Sequence, residues 1–309
     1  MTAKISVGTS AFTMGVYAEK PIPFEKVVAR LGELGYDGLE LPANKGYGSL
    51  EDWPDTNSRK KLIRLVQGAG LEISSYGADL SPSPFYSNDL AVQARARSVF
   101  ESSIELCLDC EIPVIRVDTL CEPPQPPDVG YEDAWQRAVD TFRTYAEYTQ
   151  RHSIVVAWEF EPGFMFNKPS EIVGLVKEVD HPNFTVMFDF CHAHMCTAVG
   201  ARQPPPQETL AGGAIELGQQ LQGHIGFVHL IDSDNTLHDG ITSTHAPFGT
   251  GVLDMPSLVQ TMLEAGYEGP WWTIDLCFWP GAWEELGPSL NYVRNLLTNH
   301  NLLQEGEAT

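Results

Sequence analysis

Four short apolar runs in the second half of the chain each end in a carboxylate or an imidazole. They are Val-Val-Ala-Trp-Glu159, Val-Met-Phe-Asp189, Phe-Val-His229 and Trp-Thr-Ile-Asp275. A charge inside an apolar strand is costly unless it is paired or bound to a cation. Taken singly, each residue could be a strand-end hydrogen-bonding group. Four of them aimed at one place would repel one another without a cation, so Glu159, Asp189, His229 and Asp275 are the candidate metal ligands. Three carboxylates and one imidazole suit Mn²⁺ best, with Mg²⁺ or Co²⁺ as alternatives, and not a thiolate-type zinc site. Glu161, two residues past Glu159, faces the same side and could brace the metal set or contact a substrate.

The convergence of these residues depends on the elements that carry them. Strand-like runs fall at Ile5–Thr9, Gly38–Leu41, Leu71–Tyr76, Val114–Asp118, Ile154–Glu159, Thr185–Asp189, Ile225–Leu230 and Trp272–Leu276. Helical patterns lie near 23–34, 55–69, 89–110, 131–150, 170–179, 207–221, 256–265 and 284–303. Strands that read as continuous apolar runs are those of a parallel sheet buried on both faces. Eight βα units without a break in composition predict a single (β/α)₈ barrel domain over residues 1–309. An open doubly wound sheet is the alternative, but no G-x-G-x-x-G follows the first strand. Gly35 and Gly266 stand where helices should stop, and Asn167 where one should start. Two proline-rich segments, 121–128 and 201–206, would lie on the barrel's C-terminal face, as stiff surface loops or as part of a site.

Composition narrows the function. Lys and Arg number 19 against 41 Asp and Glu, a formal net charge of −22, which disfavours nucleic acid and anionic membranes as partners. No run approaches the roughly 20 apolar residues of a membrane helix. The N-terminal Met1-Thr-Ala-Lys-Ile-Ser-Val-Gly has no signal-type apolar core, and 6 cysteines are too sparse for a disulfide framework. A reducing cytoplasm is the expected location. Cys107-Leu-Asp-Cys110 has redox spacing, but its apolar helical face reads as core.

The chain resembles the sugar isomerase/epimerase family with a xylose-isomerase-like barrel, which includes ketose 3-epimerases and inosose dehydratases. The matching segments are Leu31-Gly-Glu-Leu-Gly-Tyr-Asp-Gly-Leu-Glu40-Leu, Trp158-Glu-Phe-Glu161, Phe188-Asp-Phe-Cys-His192 and Val228-His-Leu-Ile-Asp232. Phe248-Gly-Thr-Gly-Val-Leu-Asp254 and Gly266-Tyr-Glu-Gly-Pro-Trp-Trp-Thr-Ile-Asp275 complete the set. The resemblance implies metal ligation by Glu159, Asp189, His229 and Asp275, and substrate binding by His192. Two departures stand out. Ketose epimerases usually end the eighth strand with Glu, where this chain has Asp275. They also tend to carry Arg before the Gly-x-Gly loop, where this chain reads Ser243-Thr-His245; His245 could take over a polar contact but is no permanent cation.

The implied chemistry is proton transfer next to the carbonyl of a keto sugar, with Glu159 as one base and Asp275 facing it. The substrate should be neutral, since the sequence carries neither a Gly-rich phosphate loop nor a recognisable Arg clamp. If a leaving group sits β to the carbonyl, the same proton removal expels it. The large subunit of C-glycoside deglycosidases, acting on 3-oxo-glycosides beside a small β-rich subunit, is such a lyase within this superfamily. A homo-oligomer is expected for an epimerase and a hetero-oligomer for a deglycosidase. An endonuclease on the same fold shares Asp189-x-x-His192 but needs more histidines than this chain offers. A non-catalytic barrel would not keep four ligands. Glu40 could border the pocket or be solvated at the mouth, His194 could be a plain loop residue, and Phe12, Trp53, Phe164, Phe166, Trp279 and Trp283 could form a stacking wall or pack as core or rim.

Overall fold

The structure is a computed structural model that describes residues 2–119, 121–123 and 128–303. Residues 124–127, within the first proline-rich segment, lie outside the described residues. In chain order the elements are β1 (Lys4–Gly8), α1 (Phe24–Leu34), β2 (Gly38–Pro42), α2 (Thr56–Gly68), β3 (Glu72–Gly77), α3 (Leu90–Asp109), β4 (Val114–Asp118), α4 (Tyr131–Gln150), β5 (Val155–Glu159) and α5 (Pro169–Val179). They continue as β6 (Phe184–Asp189), α6 (Phe190–His194), α7 (Gly213–Gln220), β7 (Ile225–Leu230), β8 (Asp232–His238), β9 (Thr242–Ala246), α8 (Met255–Glu264), β10 (Trp271–Ile274) and α9 (Ala282–Asn299). Strands β1 to β7 and β10 close into one parallel eight-stranded barrel in the order β1-β10-β7-β6-β5-β4-β3-β2. The (β/α)₈ barrel expected from the sequence is the fold observed.

Strand periodicity builds the site in two storeys. Val114, Ala157, Met187, Phe227 and Trp271 form an apolar cluster of their own inside the barrel. Two residues further along the same five strands, on the same face of the pleat, stand Arg116, Glu159, Asp189, His229 and Thr273. The intervening Ile115, Trp158, Phe188, Val228 and Trp272 belong to the main core. The barrel is therefore plugged by hydrocarbon below and opens, at the C-terminal ends of the strands, onto a charged layer.

Helix ends follow the expected local chemistry with one exception. Gly35 closes α1 at φ 81°, a conformation in which a side chain is strained. The N-cap of helix α5 is Lys168, one residue past the Asn167 candidate, and the Glu171 carboxylate accepts from the Lys168 N–H at 3.0 Å. Asn167 instead donates its side-chain amide to the Pro162 carbonyl at 3.0 Å. Cys107 and Cys110 are buried free thiols, as the core reading required.

The hairpin β8–β9 lay outside the sequence reading, which ended the seventh strand at Leu230 and assigned no strand between it and the next helix. The Asp232 carboxylate explains the break. It accepts backbone N–H bonds from Ser233 at 2.9 Å, Gly249 at 3.0 Å, Gly251 at 3.1 Å and Leu253 at 3.0 Å. One buried charge thus gathers the Gly-Thr-Gly loop beneath the hairpin. A Cβ on Gly251 would collide with the Asp232 carboxylate and the Ser233 carbonyl, so only glycine fits there. The second proline-rich segment follows α6 and a turn of π-helix at Met195–Val199, not a strand directly.

Candidate metal and substrate site

The free ends of β5, β6 and β7 bring Glu159, Asp189 and His229 together, all buried, with one ligand atom from each within 4.8 Å of the others. His229 Nδ1 stands 3.3 Å from Glu159 Oε1, 3.9 Å from Asp189 Oδ2 and 3.6 Å from Asp275 Oδ2. Glu159, Asp189 and Asp275 thus all lie within 3.9 Å of His229 Nδ1, although Asp275 stands outside the tight three-residue group.

Each of the three carboxylates has one oxygen held by a neighbouring group. Glu159 Oε2 pairs with the Arg116 guanidinium at 3.0 Å. Asp189 Oδ1 accepts the His192 N–H at 2.7 Å, and Asp275 Oδ1 accepts the Cys277 N–H at 2.9 Å. Glu159 Oε1, Asp189 Oδ2 and His229 Nδ1 are buried without a hydrogen-bond partner among the described residues. Orphaned polar atoms of this kind are expensive in a native core unless an ion occupies the point they face. The donor set therefore fits a divalent cation.

His229 also has its second nitrogen placed. Its Nε2 lies 3.2 Å from Glu40 Oε2, and the Ser75 hydroxyl donates to the same oxygen. A carboxylate on the far nitrogen fixes ring orientation and leaves Nδ1 for a metal. Glu40, which could have been a solvated rim residue, is 3% exposed.

Arg116 was not anticipated, although Val-Ile-Arg-Val-Asp118 places two charges at i and i+2 in an apolar strand, the signal that marked the later strands. Its guanidinium reaches Glu159, stands 3.6 Å from Asp118 and 3.9 Å from Glu40. An arginine therefore does stand at the site, contrary to the expectation from the motifs, but acidic groups surround it. Burial would raise the Glu159 carboxyl, yet Arg116 and His229 outweigh it and hold it well below the usual range. Burial and the weaker balance of charges push Asp118 up to about 7 and Glu161 up to about 8.

A second group adjoins the first. Asp189, His192 and His245 also have ligand atoms within 4.8 Å of one another. His192 Nδ1 and the Ser243 hydroxyl share a hydrogen bond of 2.9 Å, leaving Nε2 3.4 Å from Glu161 Oε2. Burial and the neighbouring His245 lower the His192 pKa. Glu161 accepts from Thr242 on the hairpin at 2.6 Å. His245 lies 3.4 Å from Asp275 Oδ2, and its ring sits 4.9 Å from that of His192. Ser243 and Thr242 belong to β9, so the hairpin supplies half of this group. His194 points elsewhere, to Asn235 at 2.6 Å.

Two cavities flank the charged layer. One of about 570 Å³ reaches Arg116 and Asp118 from Ser10, Asn44, Lys45 and Asp79. The other, of about 350 Å³, reaches His245 from Val16, His238, Phe278 and Trp279. Of the aromatic residues considered for a stacking wall, Trp279 faces this cavity, whereas Phe12 packs edge-on against Trp283 and Phe166 against Trp135.

Comparison with known proteins agrees with this geometry. The chain is 25% identical over 269 residues to the L-ribulose-5-phosphate 3-epimerase UlaE of Escherichia coli, covering 84% of this chain and 85% of that protein. Among solved structures it superposes on a D-tagatose 3-epimerase-like protein with a TM-score of 0.71, 18% identity and coverage of 96% and 98% of the two chains. The IOLI protein with a binding zinc atom gives a TM-score of 0.70 at 15% identity, over 96% and 97%. Residues 28–291 match the description "Xylose isomerase-like TIM barrel", and the chain belongs to that family.

Proposed function

We propose that this chain is a divalent-metal-dependent enzyme that moves a proton on the carbon next to the carbonyl of a neutral keto sugar, an isomerase or epimerase reaction. The observation that carries the reading is the buried set of unpartnered atoms, Glu159 Oε1, Asp189 Oδ2 and His229 Nδ1, with Asp275 Oδ2 beside them. Relatives named as sugar 3-epimerases support it. The metal, Mn²⁺ in this reading, would be held by Glu159, Asp189, His229 and Asp275. When bound it supplies Lewis-acid stabilisation of negative charge on adjacent substrate oxygens.

The chain's own residues do the rest. Glu159 is the base on one face of the substrate, its carboxylate oriented by Arg116 at 3.0 Å. Asp275, oriented by the Cys277 N–H on its Oδ1, serves the opposite face. His192, oriented by Ser243, and Glu161, oriented by Thr242, contact substrate oxygens, with His245 beside them. Lys45 and Arg116 are matched in the larger cavity by Glu51, Asp79 and Asp118, which favours a neutral substrate over a phosphorylated one. We place the enzyme in the cytoplasm as a homo-oligomer of single-domain chains; no described helix is long and apolar enough to cross a membrane.

A second reading rests on the cavity beside His245. Phe278, Trp279 and His238 line about 350 Å³ next to His245, room for an apolar leaving group. In that case one base suffices, and the enzyme is a lyase of the C-glycoside deglycosidase kind working with a small subunit. Metal analysis combined with solvent-deuterium incorporation into a panel of free ketoses and 3-oxo-glycosides tests both. Deuterium in recovered ketose supports the epimerase, a released aglycone supports the lyase, and a metal-free active enzyme overturns the metal reading.

A further inference from the structure

The barrel mouth has two unlike halves. The candidate metal residues stand at the ends of β5, β6, β7 and β10, which are neighbours in the closed order. Hairpin β8–β9 roofs this half: Thr242 donates to Glu161 at 2.6 Å, and Ser243 shares a hydrogen bond with His192 at 2.9 Å. The ends of β1, β2, β3 and β4 make the other half, and the cavity of about 570 Å³ lies over it, lined by Ser10, Asn44, Gly77, Arg116 and Asp118 among others. The smaller cavity beside His245 is walled instead by Val16, Phe278, Trp279 and Pro280. Hydroxyls lose free energy when they are taken out of water without a partner, so a polyol chain leaving the metal residues is better received over β1–β4.

Arg116 spans the two halves. Its side chain is 21% exposed, whereas those of Glu40, Asp118 and Glu159 around it are 3%, 5% and 6% exposed. Nη1 makes the closest approach to Glu159, 3.0 Å, and to Glu40, 3.9 Å, and Nε the closest approach to Asp118, 3.6 Å. Nη2 makes none of these approaches and donates no hydrogen bond among the described residues. It lies 3.2 Å from the point that a Cβ on Gly77 would occupy, and Gly77 lines the larger cavity. The missing side chain at 77 thus gives the outer edge of the guanidinium its place in the cavity wall. A guanidinium carries five N–H donors in a fixed fork. With Nη1 and Nε turned to carboxylates, the two Nη2 hydrogens are the ones left for a ligand. Three carboxylates already offset the charge of Arg116, so a neutral oxygen suits this edge better than an anion.

From this free edge and the cavity it faces, we propose that Arg116 is a substrate-binding residue. Its Nη2 donates to a hydroxyl oxygen of the keto sugar's polyol chain, which runs from the metal residues past β4 into the cavity over β1–β4. The contact selects a neutral chain long enough to reach beyond Glu159 and holds it by a hydrogen bond from a charged donor. The same guanidinium orients the Glu159 carboxylate, so the grip on the chain and the aim of the base depend on one side chain. Gly77 is a positioning residue that leaves room for Nη2. This inference rests on the proposed proton transfer on a neutral keto sugar.

The test is a cycle between enzyme variants and substrate analogues. The full chain, loaded with Mn²⁺, is assayed by solvent-deuterium incorporation into the 2-ketohexoses fructose, tagatose, sorbose and psicose, and then into the 4-, 5- and 6-deoxy analogues of the fastest. In wild type one deoxy position should raise KM by about 10–100-fold, the usual worth of a hydrogen bond to a charged group. Arg116→Lys keeps a cation near Glu159 but has no fork. It should raise KM for the full sugar by a similar factor and no longer distinguish that sugar from the sensitive deoxy analogue. Gly77→Ala keeps every charge and crowds Nη2, so it should lose the same discrimination while its metal content stays that of wild type. It carries the test by itself if Arg116→Lys loses the circular dichroism of the parent. A deoxy penalty that persists undiminished in the folded variants overturns the contact and leaves the proton-transfer reading standing. A wild type indifferent to every deoxy position does the same. A wild type that exchanges deuterium into none of the four ketohexoses removes the free-ketose reading and this contact with it, so the two failures are told apart.

Discussion

His229 Nε2 lies 3.2 Å from Glu40 Oε2, across the ring from the Nδ1 that faces Glu159, Asp189 and Asp275. The two residues are 189 positions apart in the chain and meet because their strands, β2 and β7, face each other inside the closed barrel. With a cation at Nδ1, the Nε2 proton would be the one shared with Glu40.

Glu40→Gln should weaken Mn²⁺ binding by about 10–100-fold, the usual effect of removing a carboxylate behind a ligand histidine. The side chain keeps its size, and circular dichroism should be unchanged. Unaltered affinity in a competition titration would remove Glu40 from the site.

His229→Ala should strip the tightly held ion. Elemental analysis of wild type at low metal should give about one ion per chain, and of the variant close to none. The same substitution leaves Glu40 and Glu159 with Arg116 alone between them, so Tm in chelator should fall as well.

Asp275→Asn separates the two catalytic readings. For an epimerase the strand-end carboxylate is a base, and turnover should fall by about 10²–10⁴-fold even with excess Mn²⁺. For a lyase that relies on Glu159 as the base, the loss should track metal occupancy and be largely restored by excess Mn²⁺. Product analysis, C-epimer against released aglycone, is measured on the same samples.

Substrate charge is tested by pairing free ketoses with their phosphates. Glu51, Asp79 and Asp118 line the larger cavity with Lys45 and Arg116, so kcat/KM for the free sugar should exceed that for its phosphate. Faster turnover of the phosphate would align this chain with the ribulose-phosphate epimerases instead.

Asp232→Ala should destabilise the protein by about 2–4 kcal/mol, since bonds to a charged acceptor are worth more than neutral ones and four backbone donors lose it. The loss should appear as a lower Tm in calorimetry, with the Gly249–Leu253 backbone exchanging its amide protons faster.

The barrel and the four candidate residues at its strand ends were legible because strand physics is local. Apolar runs of period two declare buried strands, and a charge at the last inward position stands out against them, as Glu159, Asp189, His229 and Asp275 do. Arg116 and Asp118 carried the same mark in β4 and could have been found by the same test. Glu40 and Ser75 could not be assigned to His229 from the chain, because their meeting depends on barrel closure. Nor could the hairpin: residues 232–246 are polar and short of alternating hydrophobics, and their extended form is fixed by Asp232 gathering the Gly-Thr-Gly loop. His245 read as an isolated substitute for a missing arginine. Only the folded hairpin sets its ring 4.9 Å from that of His192 and within ligand reach of Asp189. Residue type and period decide which atoms carry charge into the barrel. Contacts between distant strands and loops decide which of those atoms are tied by hydrogen bonds and which remain free to bind an ion.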